Sequence, residues 1–224
     1  MLLPEQADGL RDNVRNTMST ITVIGTGNIG STVASIAAKG GADVQLLGRD
    51  QDKATTVAQQ AGATAGRVGD AITGDIVVLA VPYPALAELA EQYAGQFDGK
   101  ILVDVTNPVD FATFDALTVP ADSSAAAELQ ALVPAATVVK AFNTNFAATL
   151  ATGQVGENAT IVLVAGDDDS AKQALIEVIT AGGVHAVSAG SLKRARELEA
   201  LGFLQLTLAA QEIVGWTGGF AVQK

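Results

Sequence analysis

Three glycines follow an apolar segment near the start of the chain, in the run Ile21-Thr-Val-Ile-Gly25-Thr-Gly27-Asn-Ile-Gly30. Each glycine has its own role in a turn that binds the pyrophosphate of a dinucleotide. Gly25 permits a tight turn from strand to helix, Gly27 lets the phosphates approach bare backbone, and Gly30 allows the helix to lie close to the strand. The phosphates then lie at the positive N-terminal end of that helix. The spacing therefore predicts dinucleotide binding.

The residues after the next predicted strand, 43–47, indicate which dinucleotide is bound. An acidic side chain here would bind the ribose 2′-hydroxyl of NAD and repel the 2′-phosphate of NADP. The sequence has Gly48-Arg49 instead, with Lys53 one helical turn further on. Because arginine binds phosphate through paired guanidinium hydrogen bonds, we expect NADP. Asp50 leaves two interpretations open, since it either bonds a ribose hydroxyl of NAD or caps the following helix.

These residues need alternating strands and helices to hold them in place. Apolar, β-branched segments predict strands at 20–24, 43–47, 75–81, 100–105 and 137–142, and helices at 31–39, 84–93 and 123–132. Further strands are predicted at 159–165 and 184–188, with helices at 168–179 and from about 192 to 214. The fold class is therefore α/β: a Rossmann, doubly wound, mostly parallel sheet with a small α/β C-terminal extension.

Ligands of such sheets bind beyond the carboxyl ends of the strands. Three predicted strand ends have suitable residues, namely Val81-Pro82, Asn107-Pro108 and Phe142-Asn143. Strand-ending prolines and polar loop residues are also common for structural reasons alone. Three such ends beside a phosphate-binding turn nevertheless predict one crevice. We expect Pro82 to contact the nicotinamide ribose or ring, Asn107 to hold the carboxamide or the substrate, and segment 141–146 to contact a planar heterocycle.

Composition excludes several other kinds of chemistry. The chain has no cysteine, which excludes thiolate nucleophiles and thiolate metal sites, and its single histidine, His185, is expected to be structural or exposed. We therefore predict no acid–base catalytic residue and no metal site. The net charge of −11 argues against binding to nucleic acid or to anionic membranes. Residues 1–17 lack a secretory pattern and no apolar run is long enough to span a bilayer, so we expect a cytoplasmic protein.

Seven motifs spread from about Thr20 to the C-terminus carry a family resemblance. They are the glycine run 23–30, Gly48-Arg49 with Lys53, Ala80-Val-Pro82, Thr106-Asn-Pro108, Val139-Lys-Ala-Phe-Asn-Thr144, Gly166-Asp-Asp-Asp169 and Ala189-Gly-Ser-Leu192. Together they resemble the deazaflavin (coenzyme F-420)-dependent NADP oxidoreductases. That group includes many bacterial dinucleotide-binding homologues and is similar to the cytosolic domain of membrane ferric reductases.

The resemblance implies hydride transfer between NADP(H) and a deazaflavin or a flavin such as FMN or FAD. Such a reaction needs close placement of two rings and no general base. The implied cofactor contacts are Thr26, Gly27, Asn28 and Ile29 at the pyrophosphate, Arg49 and Lys53 at the 2′-phosphate, and Val81 and Pro82 on the nicotinamide side. The implied acceptor-side residues are Asn107, Phe142, Asn143, Leu192 and Arg196.

The chain departs from the family pattern at two places. Gly48 stands where the family often has a serine or threonine that assists the 2′-phosphate. Phe142-Asn143 stands where deazaflavin users can carry a histidine, which leaves a flavin or another acceptor open. Two further functions also stay open. One is an NADP-binding redox sensor without turnover, and the other is a reductase of another small substrate, such as an imine reductase or a β-hydroxyacid dehydrogenase.

The predicted domain organisation has three parts. Residues 1–17 form an N-terminal extension, 18–145 form the NADP-binding Rossmann domain, and 146–224 form a small C-terminal subdomain for acceptor binding and dimerisation. The last predicted helix is charged at its start and then strongly apolar. Because an apolar terminal helix is a common contact between subunits, we expect a homodimer.

Overall fold

The computed structural model describes residues 18–223, and the predicted N-terminal extension lies outside the described residues. The strands are β1 (Thr20–Ile24), β2 (Asp43–Gly48), β3 (Thr64–Arg67), β4 (Ile76–Leu79), β5 (Ile101–Asp104), β6 (Thr137–Lys140), β7 (Gln154–Val155), β8 (Asn158–Ala159), β9 (Ile161–Gly166) and β10 (His185–Gly190). The helices are α1 (Asn28–Lys39), α2 (Gln51–Ala61), α3 (Ala85–Gln92), α4 (Ala125–Leu132), α5 (Ala147–Thr152), α6 (Asp169–Ala181) and α7 (Ala195–Ala210).

Eight of the strands form one sheet, in the order β10-β9-β6-β5-β4-β1-β2-β3. Neighbouring strands in this sheet pair in parallel, except β6 and β9, which pair antiparallel. The crossover between β1 and β4 reverses the winding, which places the carboxyl ends of these two strands at the switch point where ligands bind. The predicted Rossmann, mostly parallel α/β fold is confirmed.

Helices cover both faces of the sheet, which is why the central strands are apolar throughout. The side chains of β4 are all buried, and alternate residues face opposite layers. Val78 belongs to the core cluster with Val33 of α1 and Leu175 of α6, whereas Leu79 belongs to the cluster with Leu89 of α3 and Leu129 of α4. In residues 18–223, no helix is both long and apolar enough to cross a lipid bilayer.

Several elements differ from the sequence-based expectation. The last predicted helix, 192–214, is divided into a 3₁₀ turn at Leu192–Arg194 and helix α7, which ends at Ala210. Strand β3, helix α5 and the β7–β8 hairpin were not predicted, because each is short and lacks a long apolar period. Strands β9 and β10 continue the main sheet, and the proposed domain boundary after residue 145 stays a prediction.

A fully buried ionic cluster connects the carboxyl ends of β5 and β6 to two helices. The Lys140 ammonium lies 2.8 Å from a carboxylate oxygen of Asp104 and 2.8 Å from one of Glu199 in α7. It also donates to the backbone carbonyl of Thr106 at 2.6 Å. Glu199 accepts a hydrogen bond from the backbone N–H of Ala125, in the first turn of α4, at 3.0 Å. Burial raises the pKa of the Glu199 carboxyl, and the Lys140 charge counteracts this shift.

We expect Lys140→Met to lower the free energy of unfolding by about 3 to 5 kcal/mol, because two buried carboxylates would then lack their cation. The measurement is equilibrium unfolding in urea. Arg194→Met is the control, since Arg194 pairs with Glu197 at 3.4 Å and both side chains are exposed to solvent, and it should cost less than about 1 kcal/mol. Equal losses for the two variants would show that the buried cluster has no special role in stability.

Candidate cofactor and acceptor site

Two of the three glycines in the turn after β1 are required by the protein itself. Gly25 has a φ of +123°, and a Cβ there would overlap the backbone carbonyl oxygen of Ala80, which follows β4. A Cβ on Gly30 would overlap the carbonyl oxygen of Gly25 and lie 3.1 Å from the Ala80 side chain. Helix α1 therefore lies against the ends of β1 and β4 more closely than any side chain would permit.

Gly27 is different, because the protein does not require a glycine there. It is exposed, its backbone is extended, and a Cβ on it would meet no described atom within 4 Å. It occupies the N-cap position of α1, and no described side chain caps this helix end. The first N–H groups of α1 thus open onto free space beside bare backbone. A bound anion, such as a pyrophosphate, fits this cradle and accounts for the glycine.

A first cavity of about 540 Å³ lies on one side of this turn. It is bounded by the carboxyl ends of β1, β2 and β4 and by helix α3. Its lining residues are Ile24, Gly25, Thr26, Gly27, Arg49, Asp50, Lys53, Val68, Ala80, Val81, Pro82, Ala85, Glu88, Leu89 and Gln92. Arg49 and Lys53 are both exposed, so their charges are available to a ligand phosphate.

The structure explains why position 48 is a glycine. A Cβ on Gly48 would lie 2.8 Å from the Thr26 methyl group and 2.9 Å from the Ala54 side chain. A serine or threonine at this position would displace Thr26, which itself lines the first cavity. The glycine at position 48, which departs from the family pattern, therefore makes room for Thr26 of the glycine turn. The neighbouring Arg49 is retained.

Asp50 caps helix α2. Its carboxylate accepts a hydrogen bond from the backbone N–H of Lys53 at 3.0 Å, and its backbone is extended, as an N-cap residue requires. Of the two interpretations of Asp50, the structure confirms the capping one.

A second cavity of about 350 Å³ lies on the other side of the glycine turn, at the ends of β5 and β6. Its lining residues are Asn28, Ile29, Val105, Asn107, Phe142, Asn143, Asn145, Phe146, Ala147, Ala148, Gly202, Gln205, Leu206 and Trp216. None of these described residues has an ionisable side chain. The first cavity, by contrast, is lined by the cations Arg49 and Lys53 and by the acids Asp50 and Glu88, so the two cavities share the turn but only the first has ionisable side chains.

The amides of this second cavity are held by one another and by α7. The Asn107 side chain donates to the backbone carbonyl of Asn143 at 2.8 Å, and the Asn143 side chain donates to the Asn107 amide oxygen at 2.9 Å. Asn143 also donates to the carbonyl of Leu198 at 2.8 Å. Helix α7 approaches closely at Gly202, where a Cβ would lie 2.5 Å from the Asn107 amide oxygen. The amide pair is thus fixed in position before any ligand binds.

The backbone after β6 is strained at the same place. Phe142 has a φ of +64°, an uncommon conformation for a residue with a large side chain, and it is 1% exposed. Such strain persists only where the surroundings enforce it, and it is concentrated at functional sites. Here it directs the following residues, Asn143 and Asn145, into the wall of the second cavity.

The structure divides the predicted site residues between the two cavities. The first cavity contains Gly25, Thr26, Gly27, Arg49, Lys53, Val81 and Pro82, and the second contains Asn28, Ile29, Asn107, Phe142 and Asn143. Gly30 is buried behind the turn. Val81 and Pro82 share a cavity with Arg49 rather than with Asn107, so the structure does not place them beside the predicted acceptor-side residues.

Leu192 and Arg196 lie outside both cavities. Leu192 is buried in the core beside Ala195, and its backbone N–H donates to Asp167 at 2.9 Å. Arg196 is exposed and borders a separate cavity with Glu197 and Phe203. The structure does not bring these two residues to the crevice.

Other residues of the crevice were not predicted individually. Glu88 and Gln92 of α3 line the first cavity, and Asn145, Gly202, Gln205 and Trp216 line the second. Asn145 lies within the segment 141–146, whose aromatic and amide residues were the available signal. Gly202 and Gln205 of α7, and Trp216 after it, gave no such signal, because their contacts with the site depend on long-range packing.

The chain resembles known proteins in both sequence and structure. Residues 20–108 match the family model described as "NADP oxidoreductase coenzyme F420-dependent". The F420-dependent NADP reductase of Methanocaldococcus jannaschii is 31% identical over 158 residues, which cover 66% of this chain and 70% of that protein. The metalloreductase STEAP3 of Rattus norvegicus is 30% identical over 198 residues, which cover 87% of this chain but only 38% of that longer protein.

A solved structure agrees with this relationship. The crystal structure of a putative F420-dependent NADP reductase from Arthrobacter sp. FB24 superposes with a TM-score of 0.78 at 25% sequence identity. The alignment covers 91% of this chain and 99% of that one.

The fold and the glycine turn define a dinucleotide-binding protein of the Rossmann class. Within that class, the sequence relationships are specific enough to identify the family. The chain belongs to the coenzyme F420-dependent NADP oxidoreductases.

We expect Arg49→Asp to weaken NADPH binding about 10- to 100-fold and to change NADH binding much less, because only NADPH carries the 2′-phosphate. The dissociation constants are measured by titration of nucleotide fluorescence. Asp168→Ala is the control, because Asp168 caps α6 through the backbone N–H of Ala171 at 2.8 Å and lines neither cavity. Its loss should cost about 1 kcal/mol of stability without altering the ratio of NADPH to NADH affinity. An unchanged ratio in Arg49→Asp would refute the assignment of Arg49 to the 2′-phosphate.

Gly27→Ala should separate ligand binding from folding. Its methyl group has free space in the protein, so the free energy of unfolding should change by no more than about 1 kcal/mol. NADPH affinity should fall about tenfold or more, because the methyl group occupies the approach of the pyrophosphate. Gly25→Ala, by contrast, should mainly destabilise the fold, since its methyl group meets the Ala80 carbonyl. Normal NADPH affinity in Gly27→Ala would place the pyrophosphate elsewhere.

Proposed function

We propose that this protein transfers a hydride between NADP(H) and a planar acceptor of the deazaflavin or flavin class. The observation that supports the proposal is the pair of cavities on either side of one glycine turn. The first cavity has the cations Arg49 and Lys53, and the second is lined by neutral amides and aromatic rings. This arrangement suits a cofactor with its phosphate-bearing adenosine half on one side and its nicotinamide half on the other.

Each part of the crevice then has a defined role. Arg49 and Lys53 bind the 2′-phosphate, and the N-terminus of α1 with Gly27 binds the pyrophosphate. Val81 and Pro82 contact the adenosine half, since they line the first cavity. Asn107 and Asn143 form a rigid polar wall for the nicotinamide half.

When bound, NADPH supplies the hydride, which is a proton with two electrons, and the acceptor ring receives it. The lining of the second cavity fits this reaction, because no described residue there offers a proton donor or acceptor that titrates. Hydride transfer requires close, correctly oriented rings rather than a general base.

The nature of the acceptor is inferred from the relatives and from the aromatic edge of the second cavity. The M. jannaschii relative is named for its dependence on F420, and the rat relative is named a metalloreductase. In this chain, the rings of Phe146 and Trp216 lie 5.0 Å apart at the second cavity, and Trp216 is 55% exposed. The accessible Trp216 ring, backed by the buried Phe146, provides a surface on which a planar ring can stack.

We also propose that the protein forms a homodimer. Leu204 of α7 and the tail residues Ile213 and Phe220 are large apolar side chains that are exposed in this single chain. A second copy would remove this apolar surface from water.

The proposed reaction is tested by mixing the protein with NADPH and oxidised deazaflavin, or with FMN or FAD, in a stopped-flow spectrometer. We expect the absorbance of one of these acceptors to fall as NADPH is consumed, with one NADPH oxidised per acceptor reduced. Gly27→Ala should abolish the fast phase at low NADPH concentration. Tight NADPH binding without oxidation by any of the three acceptors would contradict the proposal and favour the sensor function.

A further inference from the structure

Helix α3 and the turn before it, residues 81–84, form one wall of the first cavity. In the sheet, β1 lies between β4, which leads into this turn, and β2, which leads to Arg49 and Lys53. The shape of the cavity therefore depends on where α3 is held. The lining residues from this wall are Val81, Pro82, Ala85, Glu88, Leu89 and Gln92.

The two tyrosines of the chain hold α3 at its two ends. Tyr83, just before the helix, donates its hydroxyl hydrogen to the Glu128 carboxylate in α4. Tyr93, just after the helix, accepts a hydrogen bond from the backbone N–H of Gly69 at 2.7 Å. Gly69 follows Val68, which also lines the first cavity. Each end of the wall is thus bound to a part of the chain outside it.

The turn at 81–84 has few other anchors. Pro82 and Pro84 have no backbone N–H to donate. The carbonyls of Pro82 and Tyr83 accept hydrogen bonds at 2.9 and 3.0 Å, but the donors belong to the first turn of α3 itself. Within the part of the chain that the structure describes, the Tyr83 hydroxyl makes the only side-chain hydrogen bond from this turn to another element. Loss of this hydroxyl would therefore leave the start of the wall less well fixed.

The acceptor of the Tyr83 hydrogen bond is itself fixed. Glu128 lies in the first turn of α4, which Ser124 caps through the backbone N–H of Ala127 at 3.1 Å. The buried Glu199 also binds this end of α4. Burial and the neighbouring Glu128 carboxylate raise the pKa of Tyr83 to about 12, so the hydroxyl stays protonated at neutral pH and remains a donor.

We propose that Tyr83 and Tyr93 are positioning residues for the cofactor, whose hydroxyl bonds hold α3 where the first cavity admits the adenosine half of NADP(H). This inference rests on the proposed function, which places that half in the first cavity. Neither tyrosine lines the cavity, so each acts through a neighbour that does, Pro82 or Val68. A wall that is already in place does not have to be ordered when the ligand binds, so the two bonds increase affinity.

The test measures the dissociation constant of NADP⁺ by isothermal titration calorimetry, with no hydride acceptor present. Tyr83→Phe removes one hydroxyl, and we expect it to weaken binding about threefold to tenfold. Glu128→Leu should have the same effect, and the double variant should bind no more weakly than either single variant, because all three lose one bond. Glu128→Gln keeps an acceptor oxygen and should bind within about twofold of the wild-type protein.

Tyr93→Phe tests the other end of the wall and should also weaken NADP⁺ about threefold to tenfold. Thermal unfolding shows which variants are folded, and if one of the two phenylalanine variants is not, the other carries the test. Thr22→Val is the matched control. Thr22 is fully buried, its hydroxyl donates to Gln45 at 2.7 Å, and it lines neither cavity. Its loss should lower the melting temperature and leave NADP⁺ affinity unchanged.

Three results would overturn the inference. The first is unchanged NADP⁺ affinity in either folded phenylalanine variant, which would limit that tyrosine to a role in stability. The second is an equal loss of affinity in Thr22→Val, and the third is full additivity of Tyr83→Phe and Glu128→Leu. Failure of the wild-type protein to bind NADP⁺ would instead refute the proposed function, and this inference with it. Failure to oxidise NADPH would count only against the proposed reaction, since the test needs no acceptor.

Discussion

The close approach of α1 to the ends of β1 and β4 is the constraint on which the site depends. Gly25 and Gly30 allow backbone to meet backbone beside Ala80, with no side chain between them. The turn is held tightly, yet Gly27 remains bare and faces open space. The N–H groups of α1 thus point to a fixed place at the switch point of the sheet. Both cavities border this turn, which lies between them.

The buried ionic cluster is a second constraint, and it positions the amide pair of the second cavity, Asn107 and Asn143. Lys140 binds the carbonyl of Thr106, next to Asn107, and also pairs with Glu199 of α7. One helical turn beyond Glu199, Gly202 packs against Asn107. The ionic cluster therefore joins α7 to the ends of β5 and β6, next to the residues that line the second cavity. Buried charges of this kind add little net stability compared with apolar packing, but the loss of one partner leaves an uncompensated buried charge, so the three groups depend on one another.

Local features of the site could be predicted from the sequence, and long-range ones could not. The glycine turn and Arg49 follow from spacing within one βαβ unit, and the structure brings them to the first cavity. The predicted strand ends are divided, since Val81-Pro82 lies in the first cavity and Asn107 and Phe142 lie in the second. Leu192 was predicted to face the acceptor, but a hydrogen bond to Asp167 fixes its turn and directs its side chain into the core.

The remaining misses have the same origin. Arg196 faces away from the crevice because Ala195, Leu198 and Glu199 form the buried face of α7. The pairing of Glu199 with Lys140 joins residues far apart in the chain, and no local pattern specifies it.

The second cavity has no counterpart of the cations Arg49 and Lys53 in the first, and this difference is visible only in the structure. In the proposed function, it gives the cofactor one direction of binding. A 2′-phosphate is attracted to Arg49 and Lys53, whereas in the second cavity it would lose its hydration without meeting a cation. In the proposed function, the nicotinamide half is accordingly the part that lies at the second cavity.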